Sequence, residues 1–176
     1  MDVLLILLIV VLVLLIPTTI LITVVATSIF SSAPWVATKK PIARKMCEVA
    51  NIKKGDRVLD LGCGDASILI VAAKEFGAEC VGVDLNPAVV LMARVRARLA
   101  GVSDKVQITR GNMYTVELPD TDVVVMYLLP KGTRRVERRL KDRYEHLRVV
   151  SHGFKLESPE ATSSKTGSAT VRLYQW

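Results

Sequence analysis

Aromatic residues are scarce, at 5% of the 176 residues. The basic residues come without interleaved aromatics or a reader motif, so nucleic acid is not the indicated partner. Cysteine is limited to Cys47, Cys63 and Cys80, with no CxxC pair, and His146 and His152 are the only histidines. That set has no zinc-ligand spacing, so no metal is assigned. Reduced thiols in a cytoplasmic compartment fit best. Charge is missing altogether from Val3 to Phe30, and no Lys or Arg precedes Lys39.

What fills the charge-free stretch is apolar, with Val3 to Ile16 unbroken Val, Ile and Leu. A run of that length is enough for the roughly 20 residues that cross a bilayer core. It has no polar face, which argues against a buried core helix. It also lacks the basic n-region of a signal peptide, since only Asp2 precedes it. Pro17, followed by Thr18 and Thr19, is expected to kink the helix. Residues 1–30 therefore read as a single membrane anchor, 31–40 as a connector and 41–176 as one domain. Lys39, Lys40, Arg44 and Lys45 follow the span, which places the domain on the cytoplasmic or topologically equivalent side. All 24 Lys and Arg lie from Lys39 onward, so the positive excess behind the chain's net charge of +7 belongs to the domain and suits anionic headgroups or an acidic partner.

Strand and helix patterns alternate from Pro41 onward. Pro41 suits the first turn of a helix, on which Ile42, Met46, Val49 and Ile52 recur. Arg57 to Leu61 is a short buried strand, and the helix from Ser67 to Phe76 stops at Gly77. Cys80 to Asp84 is a second strand. Asn86-Pro87 then caps a helix whose inward stripe is expected to be Ala88, Leu91, Met92, Val95 and Leu99. Val106 to Thr109 and "DVVVMYLL" are the third and fourth strands. A charged helix follows, with Val136, Leu140 and Tyr144 inward, and Leu147 to Ser151 is the fifth strand. "ESPEATSSKTGS" reads as a polar loop and "ATVRLYQW" as a final antiparallel or edge strand. The expected fold class is α/β: a Rossmann-like, doubly wound, mostly parallel sheet preceded by one transmembrane helix.

The chemistry concentrates in "VLDLGCGDASILIVAAKEFGAECVGVDLNP", Val58 to Pro87. Ligands of doubly wound sheets sit at the carboxyl ends of the strands, where the Gly62-Cys63-Gly64 turn falls. Asp84 ends the second strand 20 residues past Gly64, the spacing at which a carboxylate accepts two ribose hydroxyls. Any adenosine cofactor would suit that much. Charge separates the candidates, because Asp60 and Asp65 bracket the turn and the third glycine of a dinucleotide fingerprint is Ser67. Carboxylates repel a pyrophosphate and favour a ligand bearing an amine and a sulfonium, as S-adenosylmethionine does.

"VLDLGCGD", "GVDLNP" and "GNMYTVEL" resemble the motifs of class I S-adenosylmethionine-dependent methyltransferases. "PWVAT", "DVVVMYLLP" and "VVSHGF" narrow the resemblance to a small family of protein-lysine methyltransferases, with soluble archaeal and membrane-anchored mitochondrial members. The resemblance runs from Pro34 to the C-terminus. It implies that Asp60, Gly62 and Gly64 line the methionine part of the cofactor and that Asp84 holds the ribose. Asn112 and Met113 would flank the adenine. Trp35 to Thr38 would close over the site, and Leu129-Pro130 would meet the acceptor amine through backbone carbonyls. Ala66 stands where the family has glycine and is expected to take an ordinary backbone angle. Ala37 and Gly153 replace a proline and an acid, at positions that bear on substrate closure.

The function this implies is methyl transfer from S-adenosylmethionine to an amine, foremost a lysine of a protein substrate. A lipid headgroup amine is the second reading, and a non-catalytic cofactor-binding scaffold at the membrane the third. No residue is assigned as catalytic acid or base. His152 reads first as a satisfied structural group and second as a base. The helix "RRVERRLKDR" reads as a solvated charged face, and Cys63 as packing whose thiol is held up by neighbouring acids. The oligomeric state is left open.

Overall fold

The computed structural model describes residues 3–30, 37–166 and 169–176. The chain divides into an N-terminal unit, Met1–Pro34, and a compact unit, Trp35–Trp176.

Helix α1, Val3–Phe30, is 28 residues long, about 42 Å at 1.5 Å per residue. It runs through Pro17 as one continuous helix. The carbonyls around the proline are occupied, since Thr18 Oγ1 donates to Leu14 and Leu15 and Thr19 Oγ1 donates to Leu15. Its side chains from Val3 to Ile16 are all exposed.

The second unit begins with α2, Lys40–Val49, and then alternates. Strand β1 is Arg57–Leu61, α3 Ser67–Phe76, β2 Glu79–Asp84 and α4 Pro87–Leu99. Strands β3, Val106–Arg110, and β4, Val123–Met126, precede α5, Pro130–Arg143. Strands β5, Arg148–His152, β6, Thr162–Thr166, and β7, Ala169–Gln175, complete the unit. The seven strands lie in the order β3-β2-β1-β4-β5-β7-β6. β3, β2, β1, β4 and β5 are parallel, whereas β7 runs antiparallel to both β5 and β6. The sheet order reverses between β1 and β4, and the site forms where their carboxyl ends diverge.

The central strands are continuous apolar runs because both faces are covered. Val58, Val123, Val125 and Val150 pack with Met46, Leu69 and Ala93 of the helices α2, α3 and α4. Leu59, Leu61, Val124, Met126 and Val149 pack on the other face with Val136 and Leu140 of α5.

Two sequence expectations fail. Helix α4 turns inward on Val89, Val90, Ala93 and Ala97, not on the larger stripe. Leu91, Val95 and Leu99 are instead 63%, 49% and 82% exposed. Both stripes have helical spacing, so periodicity cannot rank them. The sheet selects the small side chains, because its surface there is already crowded. A Cβ on Gly82 of β2 would meet Leu69, Cys63 and Ile108 at 2.7–2.8 Å.

The second failure is β6, which lies within the expected polar loop and forms the outer edge of the sheet. Its sequence, TSSKT, carries no apolar alternation, as suits an edge strand that avoids further pairing. β7 is therefore an interior strand rather than an edge, consistent with buried Val171, Leu173 and Tyr174.

Candidate cofactor and acceptor site

The turn after β1 is built by backbone constraints. Gly62 and Gly64 adopt φ of +92° and +54°, values that cost little only for glycine. The amides of Gly62 and Cys63 donate to the Val83 carbonyl at 2.7 and 3.0 Å. The Gly64 amide donates to Asp84 Oδ2 at 3.0 Å, and the Asn86 amide to Asp84 Oδ1 at 2.9 Å. Each carboxylate oxygen of Asp84 thus keeps a lone pair for a ligand hydroxyl. A Cβ on Gly62 would lie 3.0 Å from Leu128 Cδ2 and 3.6 Å from Met113 Sδ. The turn, the β4 terminus and the 112–116 segment therefore meet at this glycine.

The two acids beside the turn behave differently. Asp60 is only 3% exposed. Burial, with a further push from Asp84, raises its carboxyl to about 8. Among the described residues, none donates a hydrogen bond or an ion pair to it. Asp65 is buried as well, but it pairs with Arg96 of α4 and accepts from Ser67 Oγ at 2.7 Å. The acidic pair at the site is consequently Asp60 with Asp84, and Asp65 is a neutralised staple between the turn and α4. Burial first, then Asp60 and Asp84, push the Cys63 thiol up. It is inert packing, as are Cys47 and Cys80, whose thiols burial pushes to about 12. Ala66 is in the left-handed region at φ +60°, ψ +22°, immediately ahead of α3. The ordinary angle expected from its replacing glycine is not what the chain adopts.

On the far side of the turn, Gly111 N donates to the Asp84 carbonyl at 2.9 Å. Asn112 follows, exposed, with its Oδ1 accepting from Tyr114 N at 2.9 Å. Half-buried Met113 is fixed from behind by Arg139 of α5, which donates to the carbonyls of Met113 and Val116. Arg135 stacks over the Tyr114 ring at 4.2 Å. The charged face of α5 is therefore not merely solvated. Buried Glu137 on the same helix accepts from Glu157 N, Ser158 N and Ser158 Oγ at 2.6–2.8 Å, anchoring the loop after β5.

Leu129, exposed, is the N-cap of α5, with Pro130, also exposed, in its first turn. Thr133 Oγ1 donates to the carbonyls of Leu128 and Leu129 at 3.0 and 3.2 Å, and Thr133 N to Leu129 O at 2.9 Å. The Leu129 carbonyl is thus largely taken by the helix. Thr38 is buried just before α2, whereas Trp35 lies outside the described residues. His152 ends β5 with its ring 4.2 Å from that of Tyr127. Burial lowers its pKa, and Nδ1 has no hydrogen-bond partner among the described residues. The ring is therefore not the satisfied structural histidine expected from sequence. Leu128, Tyr114, Arg96 and Arg139 were not identified from sequence; each matters through a contact with residues distant in the chain.

Residues 60–163 match the family model of the ANTKMT methyltransferase domain. The chain belongs to this methyltransferase family. It is similar to a protein-lysine N-methyltransferase of Saccharolobus islandicus, 36% identical over 125 residues, 70% of this chain and 78% of that one. It is also similar to an adenine nucleotide translocase lysine N-methyltransferase of Mus musculus, 30% identical over 137 residues, 76% of this chain. The chain spans little more than half, 59%, of that relative. Among solved structures, a Salinibacter ruber RNA methyltransferase in complex with S-adenosyl-L-homocysteine superposes with TM-score 0.77. It is 32% identical and covers 80% of this chain and 93% of its own. The methyltransferase is S-adenosylmethionine-dependent, of class I and of the protein-lysine family. Its residues fit that cofactor: a buried carboxyl without a protein cation suits a positively charged ligand, and the space beside Gly62 is what a Cβ would fill.

Proposed function

We propose that this methyltransferase is membrane-tethered through α1 and methylates the ε-amine of a lysine in a protein at the membrane. The observation that carries the site assignment is Asp60, buried and unpaired beside Asp84 at the mouth of the glycine turn. In this reading Asp60, Gly62 and Gly64 receive the methionine portion and Asp84 the ribose. Met113 packs on the adenine, and Asn112 borders it. S-adenosylmethionine supplies a methyl on a sulfonium, and transfer to nitrogen leaves a neutral thioether.

The acceptor lysine must arrive uncharged, although its free pKa is about 10.4. An apolar mouth at Leu128, Leu129 and Pro130 strips water from the ammonium and lowers that pKa without a dedicated base. Trp35 and Thr38 are assigned to closing this mouth. Most of the acceleration then comes from holding nitrogen, methyl and sulfur in line. The tether rests on Val3–Ile20, whose mean hydropathy is 3.2 with no charged residue.

The test is to incubate the full chain in vesicles with membrane extract and S-adenosylmethionine carrying a tritiated methyl. Protein, lipid and RNA are then separated. Counts recovered as methyllysine after protein hydrolysis support the proposal. Counts confined to lipid or RNA refute it.

A further inference from the structure

We infer that the outward face of α4 is a lipid-docking surface that lies on an anionic bilayer. Leu91, Val95 and Leu99 follow one another at four-residue intervals and point to solvent, forming an apolar stripe about two turns long. Leu85, just ahead of the helix, is exposed as well. Single exposed leucines need no explanation, whereas an aligned row marks a contact surface. Nothing in the methyl-transfer site uses these side chains.

The charge around the stripe selects the occupant. Helix α4 contains Arg94, Arg96 and Arg98 and no acidic residue. Arg94 is partly engaged with the Ile108 carbonyl, and Arg96 is paired with Asp65. Arg98 is exposed and, beside the helix, Lys105 is half-buried, while Glu79, Asp104 and Asp120 border the same groove from neighbouring elements. Within α4 itself, apolar side chains interleaved with arginine and no acid are the composition of a helix lying in a headgroup layer. From Lys39 onward the chain holds 24 cations against 16 acids, because Asp2 lies before it. The domain as a whole is thus drawn to an anionic leaflet. An acidic protein groove would match the charge, but the apolar helix α1 in the same chain favours a bilayer as the available surface.

Helix α4 begins at Pro87, three residues past Asp84, at the end of the sheet where the cofactor turn lies. With α4 flat on the headgroups, the acceptor mouth opens along the membrane plane rather than away from it. Lysines held near the headgroup layer are then the accessible class. This last step rests on the proposed lysine activity, whereas the docking itself does not.

The test uses the full chain reconstituted in vesicles of phosphatidylcholine alone or with phosphatidylglycerol. Cys47, Cys63 and Cys80 are buried, so a Leu99→Cys variant takes an environment-sensitive fluorophore selectively. A control label goes on α5, through Arg138→Cys. In anionic vesicles the label at 99 is expected to become protected at least threefold from a water-soluble quencher and accessible to a lipid-dissolved one. The label at 138 should not change. Arg98→Glu with Lys105→Glu should abolish the protection at 99.

Equal quenching at 99 in both vesicle compositions overturns the inference. Protection that persists in detergent, with a doubled mass, assigns the stripe to a second copy and overturns it too. Carbonate extraction reports separately whether α1 is inserted, and free-lysine-peptide methylation whether the transferase reading holds. A failure of either is therefore distinguishable from a failure of docking. The Leu91→Ser, Val95→Ser, Leu99→Ser variant should keep its peptide activity and lose at least tenfold in activity on vesicle-held substrate.

Discussion

The carboxylate of Asp84 holds the amide of Gly64, 20 residues earlier, at 3.0 Å, so the end of β2 and the turn after β1 are one rigid unit. A second bond to the Asn86 amide fixes the other oxygen. The side chain assigned to the ribose is therefore already aimed before any ligand arrives.

Replacing Asp84 by Ala removes both acceptors. Hydrogen bonds to charged groups contribute about 1.5–3 kcal/mol each. Calorimetry with S-adenosylhomocysteine is expected to show affinity lowered about 100-fold or more, with the melting temperature also reduced. Undiminished binding would remove Asp84 from the site.

Asp60 gives a pH dependence with a defined sign. Its folded carboxyl, raised to about 8, holds a proton that the unfolded chain has lost above about 4. The ligand-free protein should therefore lose stability as pH rises between about 4 and 8, by at most about 1.4 kcal/mol per unit from this group. A cationic cofactor favours the ionised form, so S-adenosylmethionine should bind more tightly as pH approaches 8. Asp60→Asn should flatten both profiles, as read by chemical denaturation and by titration across pH.

Gly62→Ala tests the cradle. The left-handed backbone costs a non-glycine residue about 1–2 kcal/mol, and the new methyl meets Leu128 Cδ2 at 3.0 Å. The variant is expected to fold, at a melting temperature several degrees lower, and to bind cofactor at least tenfold more weakly. Native-like affinity would show that the space beside this glycine is not used.

Arg139→Ala should loosen the 112–116 segment without touching substrate. Cofactor KM is expected to rise about three- to tenfold while kcat stays within about twofold. Arg139→Lys should rescue little, because a single ammonium cannot reproduce two guanidinium bonds to the Met113 and Val116 carbonyls. A change in kcat alone would mean that the arginine acts elsewhere.

The segment from Arg57 to Asp84 was legible because its signals are local. Strand composition, paired glycines, and Gly77 at φ +73° behind α3 all lie within a few residues of what they determine. The inward face of α4 was not legible, since the choice between Val89/Ala93/Ala97 and Leu91/Val95/Leu99 depends on how closely the sheet lets the helix approach. Asp65 and Asp60 are chemically identical in the sequence. Arg96, 31 residues downstream of Asp65, is what neutralises one and leaves the other bare. Strand β6 has polar loop composition and takes its extended conformation from pairing with β7. Arg139 likewise has no signal of its own on a helix already rich in arginine.

The interior position of β7 bears on how the protein is made. Val171, Leu173 and Tyr174 complete the core, and the Leu147 amide bonds the carbonyl of Trp176 at 2.6 Å. A nascent chain therefore has its cofactor turn synthesised early yet cannot close the sheet until Ala169–Gln175 has been made. Throughout that interval β5 presents an open, apolar flank, which makes the unfinished polypeptide a natural client for ribosome-associated chaperones.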